Sequence, residues 1–168
     1  REAYRAFHAP TPLAKADHFY NFCVTASSMR DYCHEHRGMF TRDQRTSQER
    51  AWWKVPLLAA TFEIANSTKH FVLREPNSGT PRALQTRAVR TKVAGFVDIY
   101  VDRDGTHRAV QVHRPEISVT LSDGTRYELY SFTREVLAYW RLYLKSQGIK
   151  LRRQPLAQLG ACERWGDG

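Results

Sequence analysis

Apolar residues recur at three- and four-residue steps through the first half of the chain and at every second position through its middle, so helices are expected to precede a sheet. Phe19, Phe22, Cys23, Ala26, Met29 and Cys33 share one face of a helix expected from Thr11-Pro12 to about His36. Thr is a good N-cap, Pro suits the first helical position, and Gly38 supplies a left-handed stop. Residues 39–47 are polar, rich in Arg, Thr and Gln, and read as a mobile loop. A second helix is expected over 47–71, with Leu58, Ala59, Phe62 and Ala65 on its buried face and Pro56 as a kink or as the start of its apolar part. The run Glu75-Pro76-Asn77-Ser78-Gly79-Thr80-Pro81 ends regular structure.

Between 89 and 132 the period is two: Val93, Val97, Ile99 and Val101; then Val110 and Val112; then Ile117, Val119 and Leu121; then Tyr127 and Leu129. Asp104-Gly105 and Asp123-Gly124 favour tight hairpins, so three or four antiparallel strands are expected. Helical spacing returns over 133–147 with Val136, Leu137, Trp140, Tyr143 and Leu144, and a basic tail occupies 149–168. The expected class is α+β in a single domain, 1–168. Packed helices carry an antiparallel, hairpin-built sheet between the second and last long helices, because an isolated hairpin is too weak to stand alone.

The longest uncharged apolar run, Val55 to Phe62, is far short of the roughly 18 residues that cross a bilayer, so no membrane is expected as a partner. Cys23, Cys33 and Cys162 form no CxxC pair and are odd in number, which argues against a disulfide framework or a cysteine zinc site and for a reducing, cytoplasmic setting. Charge changes the picture more. The chain carries +9, from 20 Arg and 6 Lys against 17 acids, and Arg is suited to forked recognition of phosphate and carboxylate. Residues 76–97 lack acids and carry Arg82, Arg87, Arg90 and Lys92. Residues 136–162 also lack acids and carry Arg141, Lys145, Lys150, Arg152 and Arg153. Such zones are candidate nucleic-acid contacts, or a docking surface for an acidic protein, or a solvated exterior.

The candidate chemical site lies at the end of the second helix. Glu63, Asn66 and His70 stack at i, i+3 and i+7 with Lys69 beside them, so a carboxylate, an amide, a proton-transfer group and a cation converge. His70 would act as general acid or base, Lys69 would stabilise negative charge and Asn66 would orient the reacting group. The alternative is a cap, since cations near a helix C-terminus complement its dipole. Arg30 and Asp31, near the end of the first helix, either pair internally, Arg30 with Glu63 or Asp31, or join Asn66 and His70 in one pocket. No cofactor is implied: the chain has no GxxxxGK[ST], GxGxxG or GxSxG motif. No metal is implied either, because His34 and His36 project to opposite sides of a helix. Trp52, Trp53, Tyr139, Trp140 and Tyr143 fit a core, with Trp52 or Trp53 the candidate for stacking on bases.

Met29-Arg30-Asp31-Tyr32 followed by Glu63-Ile64-Ala65-Asn66-Ser67-Thr68-Lys69-His70-Phe71 resembles a family of small, uncharacterised bacterial proteins. In that family an aliphatic-Lys-Asp-Trp step precedes an acidic-x-x-Asn-x-x-Lys-His helix, and a β region and a final helix with W-x-x-[FY] follow, similar to Trp140 to Tyr143. The resemblance covers most of 17–145 and departs at Arg30, Tyr32 and Glu63. It implies a shared fold and a shared polar cluster at Asp31, Asn66, Lys69 and His70. Arg30 and His36, with five residues between them, also resemble the Arg–His motif of HEPN ribonucleases. Three Arg–His pairs with four to six residues between them occur, Arg1 with His8, Arg30 with His36 and Arg108 with His113, where about 2.5 arise by chance, so only the helical context of Arg30 carries this likeness. Together these features lead to the expectation of a basic protein that binds or cleaves nucleic acid, RNA before DNA, in a bacterial or phage defence setting. The alternative is a non-catalytic module for an acidic protein surface.

Overall fold

The computed structural model describes residues 1–67 and 85–149. Among these residues five helices pack together at the base of a three-stranded antiparallel sheet, an α+β arrangement: α1 (Glu2–His8), α2 (Pro12–His36), α3 (Arg42–Trp53), α4 (Pro56–Asn66), β1 (Thr86–Val101), β2 (His107–Leu121), β3 (Arg126–Glu128) and α5 (Leu129–Ser146).

α2 begins where Thr11 Oγ1 accepts from Ala14 N and ends before Gly38, whose φ of 63° a β-carbon would disfavour. Phe19, Phe22, Cys23, Ala26 and Cys33 are buried, so its apolar face is the expected one. Residues 39–47, expected as a loop, instead contain the start of α3. Thr41 and Gln44 form a reciprocal capping box there, satisfying backbone donors that would otherwise be orphaned. The single helix expected over 47–71 is two helices, because Pro56 opens α4 at its first turn rather than kinking a continuous one. α1 was not anticipated. Too short to persist alone, it is held at its C-terminal end by Lys15, whose ammonium donates to Phe7 O at 2.9 Å, and near its start by His18 Nδ1 against Glu2 Oε2 at 3.0 Å.

Both sheet turns are built alike. Asp102 N donates to Thr106 O and Leu121 N to Thr125 O; Asp104 and Asp123 each accept from the backbone N–H two residues on; Gly105 and Gly124 take φ of 85° and 88°. The apolar runs at 110–112 and 117–121 belong to one strand, β2, with Pro115 inside it. The tolerance has a geometric cause: Pro115 pairs with Val93 at a position whose N faces away from β1, and β3 covers only Ser118 to Thr120 on that other edge. α5 starts at Leu129, four residues earlier than expected, because buried Glu116 accepts from Leu129 N at 3.1 Å and anchors its first turn.

One core joins all the helices to the base of the sheet: Phe19, Phe22, Trp52, Leu58, Phe62, Ile117, Val119, Phe132, Val136 and Trp140. The ribbon's far end leaves it. Every residue from Ile99 to Ala109 is exposed.

Candidate functional site

Glu63 points into the fold. It is 4% exposed, and its two oxygens accept from Gln85 N at 2.8 Å and Thr86 N at 2.7 Å, so one carboxylate at α4 fixes the entry to β1. Arg30 does not pair with it. The Arg30 guanidinium lies 4.2 Å from the centre of the Phe62 ring and donates to Ser27 O and Ser27 Oγ, and burial lowers its pKa while Glu49 and Asp31 raise it. Asp31 is exposed and Asn66 half-buried. The C-terminal end of α4 is tied instead to Tyr20, whose hydroxyl donates to Ala65 O at 3.0 Å. Asp31 lies eleven residues further along α2 from Tyr20, about 16 Å at 1.5 Å per residue, whereas the Arg30 guanidinium rests on Phe62, one turn before Asn66. Lys69 and His70 fall outside the described residues. Glu63 and Arg30, expected in a site, are fold contacts on α4 and α2.

The cationic residues occupy two surfaces. Arg87, Arg90 and Lys92 are exposed on β1, and Arg141 and Lys145 are exposed on α5; Arg82, Lys150, Arg152 and Arg153 fall outside the described residues. Alternation along the ribbon sorts its side chains by face. One face carries Arg90, Lys92, Phe96, Asp98 and Tyr100 from β1, opposite Ser118, Glu116, Val112, Val110 and Arg108 of β2. The other carries Val89, Val93, Val97, Ile99 and Val101, each between 44% and 70% exposed. Val93, Val97, Ile99 and Val101 satisfy the period of a strand without facing a core, since the helical body covers only the ribbon's base, where Val89 lies opposite buried Val119.

On the polar face Arg108 lies 5.5 Å from the Tyr100 ring centre, and Tyr100 is 46% exposed. Arg114 is used differently: it bonds Asp98 at 3.2 Å and sits between the rings of Phe96 and Phe7, fastening the ribbon to α1. Tyr100 and Arg108 were not singled out from sequence, although the Asp104-Gly105 turn places them opposite each other once its three-residue loop is assumed. Trp52, a candidate for base stacking, is wholly buried, and Trp53 packs edge-on against Phe62.

Two charged groups are buried beside this junction. Lys15 is 0% exposed, and burial lowers its pKa, with Glu116 opposing; Glu116 is 5% exposed, and burial raises its pKa against the Leu129 N–H and Lys15. His34 is 1% exposed with no hydrogen-bond partner on either ring nitrogen among the described residues. Burial lowers its pKa below 6.5, Glu49 and Asp31 raising it and Arg45 and Arg30 lowering it further.

The sign of the resulting pH dependence is fixed. Well above pH 6.5 His34 is neutral folded and unfolded, whereas as pH falls through 6.5 the unfolded chain takes up a proton that the fold binds only at lower pH, so stability falls with acidity by at most about 1.4 kcal/mol per unit for this group. Urea unfolding at pH 7.5 and 5.5 should therefore show a loss that shrinks in His34→Leu. An equal loss in both chains would remove His34 as its cause.

Among the described residues no group of three or more His, Cys, Asp or Glu is placed to hold a metal ion, and no helix is long and apolar enough to cross a membrane. No protein-family model matches the chain, and neither does any curated protein or solved structure.

Proposed function

We propose that this protein binds single-stranded nucleic acid, RNA in preference to DNA, on the polar face of its β1–β2 ribbon, in the cytoplasm and in a bacterial or phage defence setting. The observation that supports it is the grouping of exposed Arg90 and Lys92 with the Arg108–Tyr100 pair on one face of an outlying ribbon. Cations neutralise backbone phosphates, and an exposed tyrosine beside a guanidinium offers a platform for an unpaired base. Unpaired bases are the usual target in RNA loops and ends. The ion pair these cations make among the described residues, Lys92 with Glu128 at 3.5 Å, has both partners about half exposed and opens at little cost, while Glu116, opposite Lys92, is buried and Asp98 is held by Arg114. Buried, unbonded Cys23 and Cys33 fit a reducing compartment.

Binding is preferred to catalysis because Glu63 and Arg30 are held in fold contacts. Cleavage through Asn66, Lys69 and His70 remains the narrower hypothesis, with loss of RNA cleavage in His70→Ala as its test.

Anisotropy titration of labelled single-stranded RNA over 50–300 mM salt should give a log-log slope of about −0.7 per phosphate neutralised. Arg90→Ala/Lys92→Ala/Arg108→Ala should make that slope shallower by about 2 and weaken binding at least tenfold at 50 mM salt. Absence of binding at 50 mM would favour the second reading, an acidic protein docking on the same cations.

A further inference from the structure

The outer edge of β1 is the longest strand edge in the fold, and among the described residues no strand pairs with it. Asp102 N bonds to Thr106 O, so even-numbered residues of β1 turn their backbone groups to β2 and odd-numbered residues turn theirs outward. From Val89 to Val101 the edge has no proline and no bulge, the devices that usually prevent strand addition.

We propose that this edge pairs with the same edge of a second copy, antiparallel, with a two-fold axis at Gly95. The charges argue for this partner and this register. With Gly95 opposite Gly95, Lys92 of each copy meets Asp98 of the other, and Arg90 meets the Tyr100 ring, twice over by symmetry. Val93 meets Val97, Thr91 meets Ile99 and Val89 meets Val101, so the exposed apolar face gains lateral contacts along its length. Moving the axis one residue breaks both the Lys92–Asp98 and Arg90–Tyr100 matches; toward Ala94 it keeps a single kind of ion pair, Arg90 with Asp98, and sets Lys92 against Phe96, so the cross-link at residue 95 decides the register. The chain carries +9, so most contacts between copies would set like charges together; along this edge the one acid, Asp98, already bonded to Arg114, also meets Lys92 of the other copy. The product is one six-stranded sheet, β3-β2-β1 of one copy continued by β1-β2-β3 of the other, about 40 Å along the paired edge, with both cationic faces on the same side.

Self-association needs no nucleic acid, so this inference stands or falls apart from the proposed binding. The full chain should show a concentration-dependent monomer–dimer equilibrium in sedimentation runs between 1 and 200 μM, without added ligand. Val97→Pro removes an outward N–H that the β1–β2 ladder does not use and should weaken the dimer at least tenfold. Asp98→Lys should weaken it similarly, and adding Lys92→Glu should restore most of the loss.

Cross-linking reads the register even where a charge variant folds poorly. A β-carbon at Gly95 meets only His113 and Gln111, at 3.8–4.0 Å, so cysteine is tolerated. In a Cys162→Ser background, mild oxidation should join Gly95→Cys chains at least tenfold faster than Val101→Cys chains, whose thiols would lie tens of ångströms apart in this register. A monomer at 200 μM, a dimer indifferent to Val97→Pro, or faster joining through residue 101 would overturn the proposal.

Discussion

Glu63→Gln is expected to destabilise the fold by about 2–4 kcal/mol, because the carboxylate accepts from two backbone N–H groups at once and hydrogen bonds to a charged partner contribute roughly 1.5–3 kcal/mol each. A glutamine keeps one acceptor oxygen and turns its amide toward the second donor. Either Gln85 N or Thr86 N then loses its partner beside a side chain only 4% exposed, where water cannot compensate. Melting should fall by several degrees, at about 2–4 °C per kcal/mol for a chain of this size. The amides of Gln85 and Thr86 should exchange first. A general base would behave otherwise: the substitution would abolish a reaction and leave stability within about 0.5 kcal/mol. Urea unfolding of the two chains therefore separates the roles, and an unchanged midpoint would return Glu63 to the list of chemical groups.

That distinction could not be drawn from spacing. Periodicity put Glu63 and Asn66 on one side of a helix but carried no information about what arrives there; the partner of Glu63 is backbone 22 and 23 residues further on. Arg30 was likewise placed on the correct margin of α2, yet its neighbour is the Phe62 ring because the crossing of α2 over α4 decides which side chains meet. α2 was legible at both ends since its signals are local: a Thr-Pro start and a glycine stop. α3 was not, because Trp52 is its only buried residue and a single indole makes no stripe. Its start was nonetheless written locally, in the Thr41-x-x-Gln44 capping box. The ribbon shows the converse limit. Its alternation is that of a strand half-buried on a core, whereas Val93, Val97, Ile99 and Val101 face outward, so the pattern reports a surface meant to be covered without saying by what.

The same limit applies to Trp52, whose substitution by Ala is expected to cost about 3–5 kcal/mol. The indole is 0% exposed and packs against His34 of α2 at 5.3 Å and against Trp140 and Tyr143 of α5, each at 5.5 Å between ring centres. It is thus the one fully buried side chain of α3, with Trp53 beside it resting half-buried on Phe62, and its loss removes most of what docks α3. The effect should be uneven: amides of residues 42–53 should lose protection from exchange before those of β1 and β2, which hold each other through their own ladder. Trp52→Phe separates packing from hydrogen bonding. The indole N–H has no partner among the described residues, so phenylalanine leaves no new polar group stranded and loses only volume. Its cost should be less than half that of alanine. A phenylalanine variant as unstable as the alanine one would mean that the buried N–H is satisfied in solution, by a water molecule, and that the aromatic cluster around His34 is wetter than its packing implies.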